Sequence, residues 1–516
     1  MSSKHQLPLL PHGSPSIISG LSESLSFHSS PEAFITSRVL AFRSSNPYLA
    51  ENRVPIRAKV LNRNVAVVSS YRHVQQILSE SLDNDCPFSA REAYSELMAA
   101  FFPDPNLLLS DPPLHCPMRK RWDDRVELIM KSSGAKCEDI AITHFHRIEN
   151  NSSFDIYESM KELSWKILLS LFLTHTEDSS SPTRSERGSL SEIERQQEVL
   201  LRGQFSLFPV SINARWWRSP RSKGLEASRG LLNLFRERLR EVPAKGLFIP
   251  KNAEEQEDIA KHTLLFTSSL AVKALASLLT ATLLNLYVYR GKQSSQSSLA
   301  ENITALPSET ERNNELLRSI CLETERLSPP VVGIMRRTTR DIVLGDPHEI
   351  NIDKQILVPK GWDIWLYFVG AARDPVAFDT NAETFTPRRY CTCPPDKAEV
   401  KEGFAFGSGS KACLGKYLMR EVILTVAKAC LGLLPRSENQ DKYVLHTNFD
   451  DIPPGVGAWL GWQPDVGPEQ WAKDMKQLPT QRPVKEIKVR MTRESVGAAH
   501  TDLSIMEWFD AQEYLD

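Results

Sequence analysis

The chain has 516 residues, 41% hydrophobic and 24% charged, a balance that excludes a wholly disordered chain and a fibre. Lys and Arg number 62 against 64 Asp and Glu, a net charge of −2, which argues against a protein that grips nucleic acid over its whole surface. Eight cysteines are sparse for this length, and no secretory leader precedes them, so a disulfide scaffold is not expected.

In chain order, residues 1–45 are rich in Ser and Pro and read as an extended arm. The opening MSSKHQLPLLPHGSP has no long apolar core, so it reads as neither a signal peptide nor a membrane anchor. Arg57 to Ser69 has strand character, with a turn at Asn62-Arg63-Asn64. Helical patterns dominate from 70 to 290, interrupted by loops at Glu177–Ser191 and Gly291–Ser298. Leu270 to Tyr289 is almost long enough to cross a bilayer. Lys273 and recurring Ser, Thr and Asn residues favour a buried central helix instead. Beyond Pro329 short strand-like runs appear, at Arg340–Leu344 and Ile364–Phe368. A helical pattern follows from Leu414 to Leu434, then an alternating run at Glu486–Met491. The expected fold class is mainly α with a small β-rich subregion. Residues 46–494 form one domain, and 495–516 an acidic tail.

The most informative stretch is Phe404–Gly415, FAFGSGSKACLG. Gly407-x-Gly409-x-x-Ala412 formally fits a dinucleotide fingerprint, but Lys401–Phe406 is a poor buried strand and no carboxylate closes a following one. A phosphate loop fails on spacing: Gly409 to Gly415 is one residue too long, and Tyr417 stands where a hydroxyl residue belongs. The remaining reading centres on Cys413. At the start of an apolar helix, unpaired N–H groups and the helix dipole favour a thiolate. Such a thiolate can be an axial ligand to heme iron. The plainer alternative is a buried cysteine beside a glycine-rich turn.

Phe406-x-x-Gly409-x-x-x-Cys413-x-Gly415 resembles the heme-binding signature of the cytochrome P450 superfamily. Lys411 stands where that family commonly has Arg or His; it keeps a positive charge for a heme propionate, without the guanidinium fork. Glu323-Thr324-Glu325-Arg326 fits the family's ExxR motif, and on a helix Glu323 and Arg326 share a face. Phe385-Thr386-Pro387-Arg388-Arg389-Tyr390 resembles its FxPxRF segment, with Arg389 aligned to join the ExxR pair and Tyr390 replacing the last Phe. Lys360-Gly361 and Ala372-Arg373-Asp374-Pro375 are similar to two further landmarks. The resemblance runs from residue 50 to residue 494.

The resemblance implies heme b, iron-protoporphyrin IX, as cofactor. His115-x-x-x-Arg119 matches the family's HxxxR contact to the heme carboxylates, and Arg336 is a similar candidate. It also implies a monooxygenase that oxidises an apolar small molecule with O2, fed with electrons by an NADPH-dependent flavoprotein reductase. Lys416 and Arg420 form a cationic face that either meets an acidic redox partner or is solvated. Gly203–Val242 is loosely similar to the lid of members that handle terpenoid or retinoid-like substrates, which suggests an apolar, fused-ring or isoprenoid substrate; a biosynthetic member of the family is expected. Cys391-x-Cys393 lacks the second pair or nearby His of a zinc site.

One departure matters. The family's central helix usually carries an acid and then an alcohol for proton delivery, but here that register holds Leu270 and Ala271. Neither side chain transfers a proton. Thr267, Ser268 or Ser269 is expected to organise a water chain in their place, with Ser268 and Ser269 the candidate relay, and a substrate hydroxyl is the other candidate. Otherwise the chain is a heme-thiolate isomerase, dehydratase or peroxide-using enzyme, or a heme-binding protein without turnover.

Overall fold

Helices start here where a short polar side chain can take the first free backbone N–H groups. Ser89, Asn252, Ser268 and Ser298 each do so. The computed structural model describes residues 17–45, 55–60, 63–79, 86–149, 151–173, 184–206, 211–214, 217–241, 250–290, 297–305, 310–344, 356–391, 401–434 and 441–495. The amino-terminal helices are α1 (Ile17–Ser29), α2 (Pro31–Ser45), α3 (Tyr71–Ser79) and α4 (Ala90–Met98). The main bundle follows as α5 (His115–Ile148), α6 (Ile156–Leu173), α7 (Arg184–Gln204), α8 (Pro220–Glu241), α9 (Ala253–Phe266) and α10 (Ser269–Tyr287). Then come α11 (Leu299–Thr304), α12 (Thr310–Leu327), the short α13 (Phe368–Ala372) and α14 (Pro375–Phe378), α15 (Lys416–Leu431), α16 (Pro454–Leu460) and α17 (Pro468–Asp474).

The strands are β1 (Ile56–Val60), β2 (Arg63–Val68), β3 (Phe88–Ser89), β4 (Phe154–Asp155), β5 (Gly333–Thr338), β6 (Ile342–Leu344), β7 (Ile356–Val358), β8 (Asp363–Tyr367), β9 (Asp441–His446), β10 (Met475–Lys476), β11 (Arg482–Pro483) and β12 (Lys488–Ser495). The largest sheet has the order β1-β2-β8-β5-β3. In it β2 runs parallel to β8 and the other pairs are antiparallel.

The core is built on α10. Every residue from Leu275 to Tyr287 is buried, the pattern of a helix surrounded on all sides. Among the described residues it is the one helix long and apolar enough to cross a membrane, and 78% of that stretch lies inside the protein. Of its polar members Asn285 is satisfied, donating to Thr324 Oγ1 at 2.8 Å and accepting from Trp462 Nε1 at 2.7 Å, whereas the hydroxyls of Ser277 and Thr280 are buried without a hydrogen-bond partner among the described residues.

Two expectations need correction. Residues 17–45 are not an extended arm but two helices, with Phe34 and Ile35 only 1% and 3% exposed; apolar residues interspersed among the serines supply the buried contacts. Of the loop expected at Glu177–Ser191, residues from Arg184 onward belong to α7. Residues 1–16 and the tail 496–516 lie outside the described residues.

Candidate active site

Cys413 lies three residues before α15, in a loop shaped by glycines. Gly407 and Gly409 have φ of +67° and +70°, the left-handed region that side chains disfavour. A Cβ on Gly409 would also meet the Leu78 carbonyl oxygen at 2.2 Å. The Cys413 N–H donates to the Phe406 carbonyl at 2.7 Å, and the Cys413 carbonyl accepts from Lys416 N–H at 3.2 Å. The backbone of Cys413 is therefore held on both sides. Cys413 keeps a solvent-accessible face, yet protein crowds the sulfur closely enough that burial pushes the thiol up; the Gly415 N–H and the Arg119 charge pull it back down. A group that stabilised the thiolate directly would complete that balance.

Four basic side chains converge beside this loop. His115 opens α5 and is 2% exposed. Burial, with the charges of Lys411, Arg119 and Arg336 around it, lowers its pKa to about 4, against which Asp111 is the opposing charge. Its Nδ1 is buried and has no hydrogen-bond partner. Arg119, one turn on, donates to the Ala412 carbonyl and to Asp123 Oδ1 at 2.8 Å, so it ties α5 to the residue before Cys413. Arg336 is 4% exposed, and its one hydrogen bond among the described residues goes to the Met335 carbonyl. Strand alternation sends Arg337 to the other face, where it binds Asp363 at 2.8 Å.

Lys411 departs from expectation. Its ammonium donates to the carbonyls of Leu107 at 3.0 Å, Leu108 at 3.5 Å and Ser110. An ammonium has three donors, so Lys411 contributes charge and clasps the loop before α5 rather than offering a free donor. Burial lowers its pKa to about 8.

This donor set fits an anionic, flat group next to a thiolate. A buried guanidinium without a carboxylate and a buried imidazole with an unbonded nitrogen are costly alone, and carboxylates of a heme are their natural partners.

Behind the loop, Glu323 and Arg326 are fully buried and joined by two bonds of 2.7 Å. Arg389 adds its Nε at 3.1 Å, and the Thr386 N–H donates at 3.0 Å. The trio sits under the loop: a Cβ on Gly403 would be 2.9 Å from Arg326 Cα.

The cytochrome P450 family model matches residues 293–428, which takes in the Glu323 trio and the Cys413 loop. This match supports membership of the cytochrome P450 superfamily. Cytochrome P450 714A2 of Arabidopsis thaliana is 30% identical over 139 residues, 26% of this chain and 25% of that one. Cytochrome P450 85A1 of Solanum lycopersicum is 35% identical over 109 residues, 21% of this chain and 20% of the relative. The match therefore spans well under two thirds of those curated relatives. The solved retinoic acid-bound cyanobacterial CYP120A1 superposes with a TM-score of 0.66 at 15% identity, covering 95% of this chain and 100% of that one, which shows a shared fold. Cytochrome P450 proteins bind heme b through a cysteine thiolate, and Cys413 lies within the matched segment.

In this P450 the central helix is broken. α9 ends at Phe266 and α10 begins at Ser269. Ser268 and Ser269, the expected relay, are both engaged by the protein. Ser268 Oγ accepts from the Ala271 N–H as the cap of α10, and Ser269 Oγ donates to Glu198 Oε1 at 2.7 Å. Thr267 Oγ1 donates to the Thr263 carbonyl at 2.8 Å. The cationic face is likewise neutralised: Lys416 binds Glu402 at 2.7 Å, and Arg420 binds Glu325 at 2.6 Å and Glu402 at 3.0 Å.

Sequence reasoning missed Asp111, which caps α4 through the Ala90 and Arg91 N–H groups while facing Lys411. It missed Tyr94, whose hydroxyl accepts from the Met335 N–H at 2.8 Å beside Arg336. It also missed Glu198. None of the three has a local motif; only the one-residue alternation of Arg336 and Arg337 carried a readable signal.

Proposed function

We propose that this chain is a heme-thiolate monooxygenase that oxidises an apolar small molecule, of terpenoid type, in a biosynthetic pathway. It would take O2 and electrons from an NADPH-dependent flavoprotein reductase. The observation that carries the reading is Cys413, accessible and backbone-held, beside two buried cationic-type side chains: His115, whose Nδ1 has no partner among the described residues, and Arg336, bonded among them only to a backbone carbonyl. When bound, the heme supplies dioxygen activation and transfer of one oxygen atom to a C–H or C=C bond.

The chain's own residues supply the rest. Cys413 donates electron density as a thiolate, and Phe406 sets its backbone through the carbonyl that receives its N–H. His115 and Arg336 hold the carboxylates, while Arg119 and Lys411 add charge and brace the loop. Leu270, Ala271 and Ala274 give α10 a partly exposed apolar side, which supports an apolar substrate. The test is expression with a reductase. Substrate-dependent NADPH and oxygen consumption with an oxygenated product among terpenoid scaffolds is expected, and its absence from a heme-loaded protein overturns the reading.

A second reading is favoured by one observation. The hydroxyls at positions 267–269 are bonded to other protein groups, and Leu270 and Ala271 follow them. A heme-thiolate isomerase, dehydratase or peroxide-using enzyme needs no acid–alcohol pair. Turnover without NADPH and oxygen would select it.

A further inference from the structure

A second polar cluster lies between α6, α7, α10 and the turn from β10 to β11, and the reactions above make no use of it. Lys273 on α10 binds Glu198 on α7 at 2.8 Å, and Lys161 on α6 binds Glu158. Arg482 remains. It donates to the carbonyls of Leu478 at 3.4 Å and Thr480 at 3.0 Å in its own turn, and has no carboxylate partner among the described residues. Its charge bears on both Lys273 and Tyr157.

Beside it, Tyr157 is 5% exposed and Thr480 is 0% exposed. Their hydroxyls lie close enough for Thr480 to act on the Tyr157 phenol, yet neither oxygen has a well-formed hydrogen bond among the described residues. Ser277, one turn beyond Lys273 on α10, is also buried with an unbonded hydroxyl. A buried hydroxyl left without a partner costs about 1–3 kcal/mol, so several together mark a place where a ligand or water accepts from them.

The turn is rigidly mounted. The Gln481 N–H donates to the Pro330 carbonyl, and its Nε2 to the Pro329 carbonyl, both at 2.7 Å. Those prolines stand two valines, Val331 and Val332, ahead of β5, the strand that carries Arg336. On α10 the cluster is one turn from Leu270 and Ala271. The three cations Lys161, Lys273 and Arg482 outnumber Glu158 and Glu198; Glu194 lies nearby but faces Glu162 and Lys166 more strongly.

We propose that Tyr157, Lys273, Thr480 and Arg482 form a binding site for the carboxylate of an otherwise apolar ligand. Arg482 uses only Nη1 on the two carbonyls of its own turn, and with the hydroxyls of Tyr157 and Thr480 it offers further donors to a carboxylate, which is acceptor-only with room for all of them. The apolar remainder would lie along the Leu270–Ala274 side of α10. As a statement about substrate this rests on the monooxygenase reading. A free small carboxylate has the same head-group chemistry.

The experiment is calorimetric titration of the heme-loaded protein with farnesoic acid, methyl farnesoate and acetate. The acid is expected to bind at least tenfold more tightly than its ester. Arg482→Gln and Tyr157→Phe should each narrow that gap while leaving ester binding unchanged. Acetate that binds as tightly as the acid, and is weakened by the same variants, assigns the site to a free anion. Equal affinity for acid and ester, no binding of the acid, or a gap that survives both variants overturns the site. Calorimetry does not read turnover, so failure of the oxygenase reaction leaves this result standing, and the converse holds.

Discussion

The Arg389 Nε stands 3.1 Å from both carboxylate oxygens of Glu323. The same carboxylate takes a two-bond grip from Arg326, so one buried anion is shared by two guanidinium groups. Arg326 spends its remaining donors on the carbonyls of Ala372 and Ala382. This joins α12 to the 372–389 segment, and the loop that carries Cys413 rests on the result through Gly403.

The first prediction follows from that sharing. Glu323→Ala leaves Arg326, fully buried, with no counter-charge. Removing one partner of a buried pair costs about 3–5 kcal/mol. The variant is expected to yield little folded protein and little bound heme. Arg389→Ala is expected to cost less, because Arg326 still holds the carboxylate. The check is thermal unfolding together with heme content per folded protein; equal loss for both variants would contradict the order given.

Cys413→Ser tests the ligand. Serine keeps the loop geometry but not the thiolate, so heme content should fall only in part. The shifted ferrous–carbon monoxide absorption band of the superfamily should vanish. A retained shifted band would remove Cys413 from the site.

What the sequence made legible were residues whose partners lie a few positions away. Glu323 and Arg326 share a helical face, His115 and Arg119 share another, and Cys413 sits amid its own glycines. Long-range partners were not legible, because no local pattern encodes them. Lys411 looked like a free cation, but it reaches the carbonyls of the 107–110 loop. Lys416 and Arg420 read as a cationic face, for a partner or for solvent, but Glu402 and Glu325 pair with them. The helical arm at 17–45 was hidden by its serines, which lower helix propensity although tertiary packing overrides it.

Acid should destabilise the protein through His144. This ring is 1% exposed on α5, and burial lowers its pKa to about 4 from 6.5. The Arg147 guanidinium lies 3.3 Å from Nδ1, so Nδ1 accepts and Nε2 donates to Ser159 at 3.0 Å, a neutral ring. Between pH 6.5 and 4 the unfolded chain binds this proton and the folded one does not. Stability is therefore full above the unfolded pKa and falls as pH drops toward 4, by up to about 3 kcal/mol for one such group. Denaturant unfolding at stepped pH is expected to show that slope, and His144→Gln to flatten it. A slope equal in both proteins would assign the loss elsewhere, with His73, also lowered to about 4, the next candidate.

The last prediction concerns the break between α9 and α10. The Ser268 side chain caps α10 through the Ala271 N–H, and losing such a cap typically costs about 1 kcal/mol. Ser269→Ala removes one bond to Glu198, which Lys273 still holds at 2.8 Å. Both hydroxyls therefore do structural work: Ser268 Oγ gives a lone pair to the cap, and the Ser269 proton is held by Glu198. The double variant Ser268→Ala, Ser269→Ala should lower the melting temperature by a few degrees while leaving peroxide release per NADPH consumed unchanged. A lost proton relay would instead cost roughly 10²–10⁴-fold in productive turnover. Measuring peroxide, NADPH and product in the same reaction separates the two outcomes. Raised peroxide with falling product would return the relay to these serines, and unchanged coupling leaves proton delivery to water or to a hydroxyl of the substrate itself.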